Sequence, residues 1–544
     1  MQEGSFQFFD IKQYSTCILV ITFLRDVWNI PLNCSITAIL SSTSMKATDD
    51  LYQLVKSLTP SEKRYFKVFS KRHVLGDVNK YEVLFDCYDE QPDDLPYDED
   101  KLKKGLTDKK LGKNFADEKK NLHEMVMKAM RSFHAGVSID NQLNELLTDE
   151  ELYRSKRLNT LRRKAIDKGK EIAEKYEKYN TLLTLLEREE MMNLELSPDN
   201  LKEQAKSIGS AKSQLLEKIK TISKLREIND WFFIQYRIYA GKVPEDFWQM
   251  AEERMAEPVF KNYTEGFCLS ADISYNKVWA IYYTMKGDHF NLAKYYSIIY
   301  DKYERQYPHL KASNTLGYKI TMYNYIYSLN TIRDFDKMKA LLDYAQTIPS
   351  ANDDEAGEDF QNIALYKQLY YLNTSQFDQA IAMVNEINEG LKRHKKKVNK
   401  ARELALINNI SISYMMLEQW DQVVDYTERI ICDKTDVRQD IKYEARINQL
   451  IARFEQEEYD QLSYQIRNTQ RWIDSKNTLS HSYNNVLKLL NTLIKNGGKQ
   501  HFKAMRNTLD ESLLLYEGYV SVKVWLYSRV NHVSMQDAVK IVEN

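Results

Sequence analysis

A four-residue pattern recurs along the second half of this chain and constrains its fold more than any other feature. It runs aromatic, Asp, polar, aliphatic. The copies are Phe335-Asp336-Lys337-Met338, Phe377-Asp378-Gln379-Ala380, Trp420-Asp421-Gln422-Val423 and Tyr459-Asp460-Gln461-Leu462, separated by 42, 43 and 39 residues. A looser copy, Gly287-Asp288-His289-Phe290 followed by Ala293, stands 45 residues before Phe335. Each copy lies between two stretches with apolar residues at helical spacing, so each period predicts a helix–turn–helix hairpin. One such hairpin cannot bury its apolar face alone. A stack can, and a fixed period of 20–50 residues is the mark of a helical solenoid.

Composition agrees. There are 16 glycines and 9 prolines in 544 residues, where ordinary usage gives roughly 38 and 27. Folds with many tight turns draw on those residues, so a β-sandwich, a β-barrel or a doubly wound α/β enzyme is disfavoured. With 43% hydrophobic and 28% charged residues the chain can build a core,. Its 77 basic and 78 acidic residues leave a net charge of -1, so no global charge draws it to nucleic acid or a membrane surface. Five widely spaced cysteines, with no C-x-x-C, suggest neither a disulfide framework nor a zinc site and fit a reducing cytoplasm,.

Residues 1–44 read unlike the rest. The apolar run Cys17–Leu24 stops at Arg25-Asp26, and the stretch from Val27 to Met45 lacks charge but is rich in Asn, Ser and Thr. Neither reaches the ~20 apolar residues of a membrane span. A leader or non-native extension before a natural start at Met45 is the favoured reading, with a signal peptide and a structured element as the alternatives. From Met45 to residue 137 about five helices are expected. Thr59 caps a helix with Pro60 at its first position and Glu62 closing a capping box. Further helices run over Tyr81–Tyr88, Asp98–Leu106 and Phe115–Phe133. Residues 138–495 read as helix after helix, and 496–544 as a helical capping segment. The stretch Asn352–Asp359 reads as a solvated acidic loop.

The repeats resemble the tetratricopeptide-repeat (TPR) family. There an aromatic residue closes the inter-helix turn, a small residue follows on the second helix, and a small residue and a Tyr sit on the first. The Trp420 repeat matches at Ile407, Ile410, Ser411 and Tyr414, then at Val423, Thr427 and Ile430. The Phe335 repeat matches at Met322, Tyr325, Leu329, Met338, Leu342 and Ala345, and Ala280 and Tyr283 precede Gly287. Phe290, Phe335, Phe377, Trp420 and Tyr459, with Tyr371 and Tyr414, take the repeat-structural positions. Lys367 and Gln368 depart from the pattern, one residue is inserted before Phe290, and the period exceeds the family's usual length of about 34. The resemblance covers roughly residues 270–475. It implies an all-α fold: a right-handed, TPR-like superhelix following a small N-terminal helical domain. It also implies that the first helices line a concave groove, with Lys277, Tyr323, Tyr327, Asn330 and Asn408 at peptide-contact positions. An Asn amide both donates to and accepts from a peptide backbone, while Lys277 suits a carboxylate and Tyr323 with Tyr327 an apolar ledge. The bland alternative is that both tyrosines pack on the next hairpin.

Motifs of catalysis are lacking. There is no phosphate-cradling glycine loop, no H-E-x-x-H and no G-x-S-x-G,. The nine histidines are scattered, and His123 and His134 read as structural or surface residues. Cys87 and Cys268 read as packing residues, and Glu189-Glu190 as solvated acids on a long helix. Three basic runs, Lys101–Arg131, Arg154–Lys178 and Lys392–Lys397, read as exposed faces or loops, with phosphate contact the sharper alternative. The 37 tyrosines read as inter-helix wedges before groove lining. The expectation is a non-catalytic, cofactor-free, metal-free scaffold for a protein or peptide partner in the cytoplasm, off the membrane. Its rival is a transcriptional or signalling regulator with a TPR-like sensor, because Leu58-Thr59-Pro60-Ser61-Glu62 resembles the helix opening of some bacterial helix-turn-helix regulators. Nucleic acid through Lys101–Arg131 is the weaker partner. A third reading resembles peptide-pheromone receptors, which place a helical bundle before TPRs.

Overall fold

The computed structural model describes residues 50–72, 80–91, 99, 102–103, 115–136, 138–194, 198–239, 243–395, 397–475, 480–496, 498–502 and 520–542. The leader 1–44 and most of the expected helix Asp98–Leu106 lie outside these residues. The described chain is all-α, with no strand among the described residues, and no described helix is long and apolar enough to cross a membrane. It divides near residue 220 into two compact units.

The first unit opens with α1 (Asp50–Ser57), α2 (Pro60–Lys71), α3 (Lys80–Asp89) and α4 (Phe115–Phe133). The capping box forms as its residues predict: the Thr59 hydroxyl accepts from the Glu62 N–H, and the Glu62 carboxylate accepts from the Thr59 N–H at 2.7 Å. Phe66 stacks on Phe85 at 4.4 Å in a core with Tyr88, Leu122 and Val126. Then α5 (Ile139–Ser155), α6 (Asn159–Lys175) and α7 (Tyr179–Asn193) pack each on the next. Fully buried Glu150 accepts from Arg162 at 2.7 Å and from Arg188, while Glu189 accepts from Arg163 at 2.8 Å and Lys170 at 2.5 Å. Glu189 is therefore buried between helices, not a solvated acid. Buried carboxylates persist only when paired in this way, and the pairing engages Arg162, Arg163 and Lys170 of the second basic run. Helix α8 (Pro198–Tyr239) crosses from this unit into the next.

The second unit continues with α9 (Glu245–Met255), α10 (Pro258–Lys261), α11 (Leu269–Lys286), α12 (His289–Asp301), a π turn (Lys302–Gln306) and α13 (Pro308–Ser313). The repeat region follows as α14 (Thr315–Thr331), α15 (Phe335–Ala345), α16 (Asp353–Asn373), α17 (Phe377–Ala382), α18 (Val384–Arg393), α19 (Lys400–Met416), α20 (Trp420–Ile431), α21 (Gln439–Glu455), α22 (Tyr459–Ser475) and α23 (Ser480–Lys495). Last come α24 (Val520–Asn531) and α25 (Met535–Val542). Phe335, Phe377, Trp420 and Tyr459 each begin the second helix of a hairpin. The fourth pattern residues, Met338, Ala380, Val423 and Leu462, are all fully buried. First helices α14, α16, α19, α21 and α23 pack on one another in that order.

The hairpin turns share one geometry. Two residues before the second helix, the backbone enters the left-handed region at Arg157, Glu177, Gly287, Arg333, Ser375, Glu418 and Glu457, with φ between 55° and 74°. In each case two N–H groups close the preceding helix. At Glu418 its own N–H donates to the Met415 carbonyl and that of Gln419 to the Tyr414 carbonyl, both at 3.0 Å. This is the Schellman closure, which normally favours Gly. Low glycine content therefore does not mean few tight turns here, because charged residues and one serine occupy six of these seven positions. The same turn joins α5 to α6 and α6 to α7, where no pattern copy marks it.

Two expectations are corrected. Phe290 is 69% exposed and is no wedge. Gly287 takes the turn position, so the helix starts at His289 and the inserted residue rotates Phe290 by about 100° away from the core. Asn352–Asp359 is not a loop. Asn352 accepts from the Glu355 N–H and caps α16, whose first turn holds Asp353, Asp354 and Glu355, where carboxylates complement the helix dipole.

Candidate functional site

The first helices α14, α16, α19 and α21 are buried on most sides, and the buried residues include polar and charged ones. Their partners α15, α20 and α22 bury only a stripe. That difference decides where the peptide-contact positions lie. Tyr323, Tyr327, Asn330 and Asn408 are 5%, 3%, 7% and 2% exposed. Their expected placement on an open groove is corrected accordingly. The Tyr323 hydroxyl donates to Asp359 Oδ1 at 2.8 Å, Asn330 Oδ1 accepts from Asn373 at 2.7 Å, and Asn408 Nδ2 donates to Glu444 Oε2 at 2.9 Å. Each of these bonds ties one first helix to the next. Lys277, on α11, is half-buried; burial pushes its ammonium pKa down, opposed by Asp230.

The wedge positions vary. Phe377 is buried. Phe335 packs edge-on to Tyr370, Tyr459 tilts against Phe454 at 5.4 Å, and Trp420 lies under Arg529. Tyr371 meets Tyr370 edge-on, and Tyr414 tilts against Tyr426. Lys367 reaches Gln346 at 2.6 Å, which takes a charge at an expected apolar position out to the edge of the hairpin.

Charged groups are also built into the helix seams. Buried Lys319 on α14 donates to Asp359 and pairs with Glu355, both at 2.6 Å, and reaches the Pro349 carbonyl at 3.1 Å. Ser350 adds a bond to Asp359 at 2.7 Å. Burial first, then Asp359, pushes the Tyr323 phenol pKa up. Lys442 on α21 and Lys400 at the start of α19 hold Asp433 at 3.0 and 3.1 Å. Burial alone would raise the Asp433 pKa, but bonds from Thr435, Lys442 and Lys400 hold it well below the usual carboxylate range. None of these residues is marked by the repeated pattern. Among the described residues, no group of His, Cys, Asp and Glu is arranged to hold a metal ion.

A further set recurs in register. Eleven residues before the pattern aromatic stand Asn324, Tyr366, Asn409 and Asn448. All four are buried. The Nδ2 of each of the three asparagines has no hydrogen-bond partner among the described residues. Gln368, two positions after Tyr366 on α16, is fully buried with both amide atoms in the same state. Such groups are uncommon, because each costs roughly 1–3 kcal/mol when unmatched. The recurrence of Asn at three of four equivalent positions was legible in the sequence; its burial was not. No protein-family model, curated protein or solved structure matches the chain.

Proposed function

We propose that the helical hairpins of residues 138–495 form a right-handed, TPR-like superhelix that acts as a non-catalytic scaffold for a protein or peptide. The observation that carries this reading is the register of buried amides at Asn324, Asn409 and Asn448, joined by Gln368. Such amides complement the alternating donors and acceptors of an extended polypeptide. Access requires neighbouring first helices to part. In an array held by nearest-neighbour contacts this opens the seams between α14, α16, α19 and α21 rather than the whole fold,.

The test is selection of a random peptide library on the full chain, followed by titration of the selected peptide into wild type and Asn324→Leu/Asn409→Leu. The double variant should melt no lower than wild type yet bind at least about tenfold more weakly. Failure to enrich any peptide, or unchanged affinity in a folded double variant, would sink the reading.

A further inference from the structure

The strongest unassigned cluster gathers side chains from five consecutive elements around one ammonium. Lys311, on the short helix α13, places its Nζ 4.3 Å from the ring centroid of Tyr318 on α14 and 5.2 Å from that of Tyr344 on α15. The same nitrogen donates to Glu304 Oε1 in the π turn at 2.6 Å and to the Tyr344 hydroxyl at 2.8 Å. Tyr318 donates to Glu304 Oε1 at 2.5 Å, and Tyr300 on α12 stacks beside it at 5.9 Å and 27°. Tyr318 is almost wholly buried, whereas Tyr344 is 38% exposed and the Lys311 and Glu304 side chains are partly open to solvent.

Two tyrosine rings and a carboxylate around a cation, with Tyr300 stacked behind Tyr318, are the elements of an alkylammonium cage. Ring faces attract a cation through their quadrupole, and do so best where water is reduced. Glu304 supplies the net charge and is fixed by Tyr318 whether or not Lys311 is present. Its pKa is set first by burial, which raises it, but bonds from Lys311 and Tyr318 keep it below the usual carboxylate range. Glu304 sits in a π turn, a local distortion that often marks functional sites,. Lys311 enters on a flexible stem from a six-residue helix, so it can leave without unpacking a long element.

We propose that this cluster is a binding site for an alkylated ammonium group, with Lys311 as its resident stand-in. A tethered occupant competes at high effective concentration, so the wild-type chain takes a free ammonium only weakly. Removing it leaves Glu304 half-buried and unpaired, a cost that an incoming cation recovers.

Two experiments on the full chain decide the matter, with tetramethylammonium as the probe and sodium at equal ionic strength as the control. In the first, lysines are reductively methylated with 13C, and the Lys311 signal is identified by its loss in Lys311→Arg. It should be shifted upfield by the rings and return toward ordinary lysine positions as tetramethylammonium rises to about 0.1 M, the range expected for cation–π contacts partly open to water. In the second, Lys311→Ala should bind the probe at least about tenfold more tightly than wild type, since the internal competitor is gone, and Lys311→Ala/Tyr344→Ala should lose that gain. A Lys311 signal that ignores the probe overturns the proposal, and so does a folded Lys311→Ala that binds no tighter. Should Lys311→Ala fail to fold, the wild-type methyl titration decides alone.

Discussion

Glu444 shows how one residue can carry a pH dependence in an otherwise neutral chain. Burial pushes its carboxyl pKa up, and the bond from Asn408 Nδ2 only partly opposes this. A carboxyl whose pKa is higher folded than unfolded binds more protons in the folded state, so stability falls as pH rises through the interval between the two values. Glu444→Gln keeps an acceptor for Asn408 and removes the titration. Urea melts should therefore show the variant more stable than wild type at pH 8, with the advantage shrinking toward pH 5. An advantage that grows on acidification would mean that Glu444 is ionised and favourably paired. Asp433 is the opposite case: its pKa is held low by Thr435, Lys442 and Lys400, so its contribution is present at neutral pH and lost on acidification,.

At the level of the element, the repeated unit is the hairpin turn rather than either helix. Second helices as different in length as α17 and α22 follow the same left-handed residue and the same pair of backbone bonds. The aromatic two positions later starts the second helix, and the fourth pattern residue is buried. An L-residue in the left-handed region costs roughly 1–2 kcal/mol relative to its preferred backbone, a cost that glycine does not carry. Part of that gain returns as unfolded-state entropy. Ser375→Gly, where the φ is 55°, should raise stability by about 0.5–1 kcal/mol. Thermal or urea denaturation checks it, and a destabilised variant would show that the serine side chain, not the backbone, holds the α16–α17 turn.

For the second unit as a whole, the informative contacts are the longest in sequence. The α24–α25 hairpin returns to the Trp420 and Tyr459 repeats. Trp525 donates to Glu455 at 2.6 Å, Arg529 bonds Glu455 at 2.7 Å and Glu418 at 3.0 Å, and Ser521 meets Asn448 at 3.1 Å. Glu418 also accepts from the Met535 N–H at 3.0 Å. Thus the residue that strains the α19–α20 turn also satisfies an N-terminal donor of α25. Phe454, Phe502 and Trp525 meet edge-on beneath these bonds. Arg529→Met leaves buried Glu455 with only the longer Lys499 pair at 3.7 Å and should cost about 2–3 kcal/mol,. Hydrogen exchange should then accelerate in residues 416–460 and 520–542 before it does in α1–α4, since the damage enters through one interface. Uniform acceleration along the chain would instead mark a single cooperative unit.

By itself the sequence determined what depends on neighbours along the chain. Hydrophobic spacing set the all-helical class, the Thr59–Glu62 capping box set the start of α2, and the recurring aromatic-Asp pattern set where four second helices begin. These are local because a helix satisfies its backbone within a few residues. Tertiary structure alone decided which faces close. Tyr323, Tyr327, Asn330 and Asn408 sit at first-helix positions read as groove contacts, but whether such a face meets solvent or the next hairpin depends on stacking that no single period encodes. The same holds for Lys319, whose acids come 36 and 40 residues later, and for Glu189, whose partners lie on the preceding helix. It holds most of all for Arg529, whose carboxylates lie 74 and 111 residues away. Ion pairs of that span leave no periodic trace, because two residues that meet only after folding impose no spacing on the chain between them.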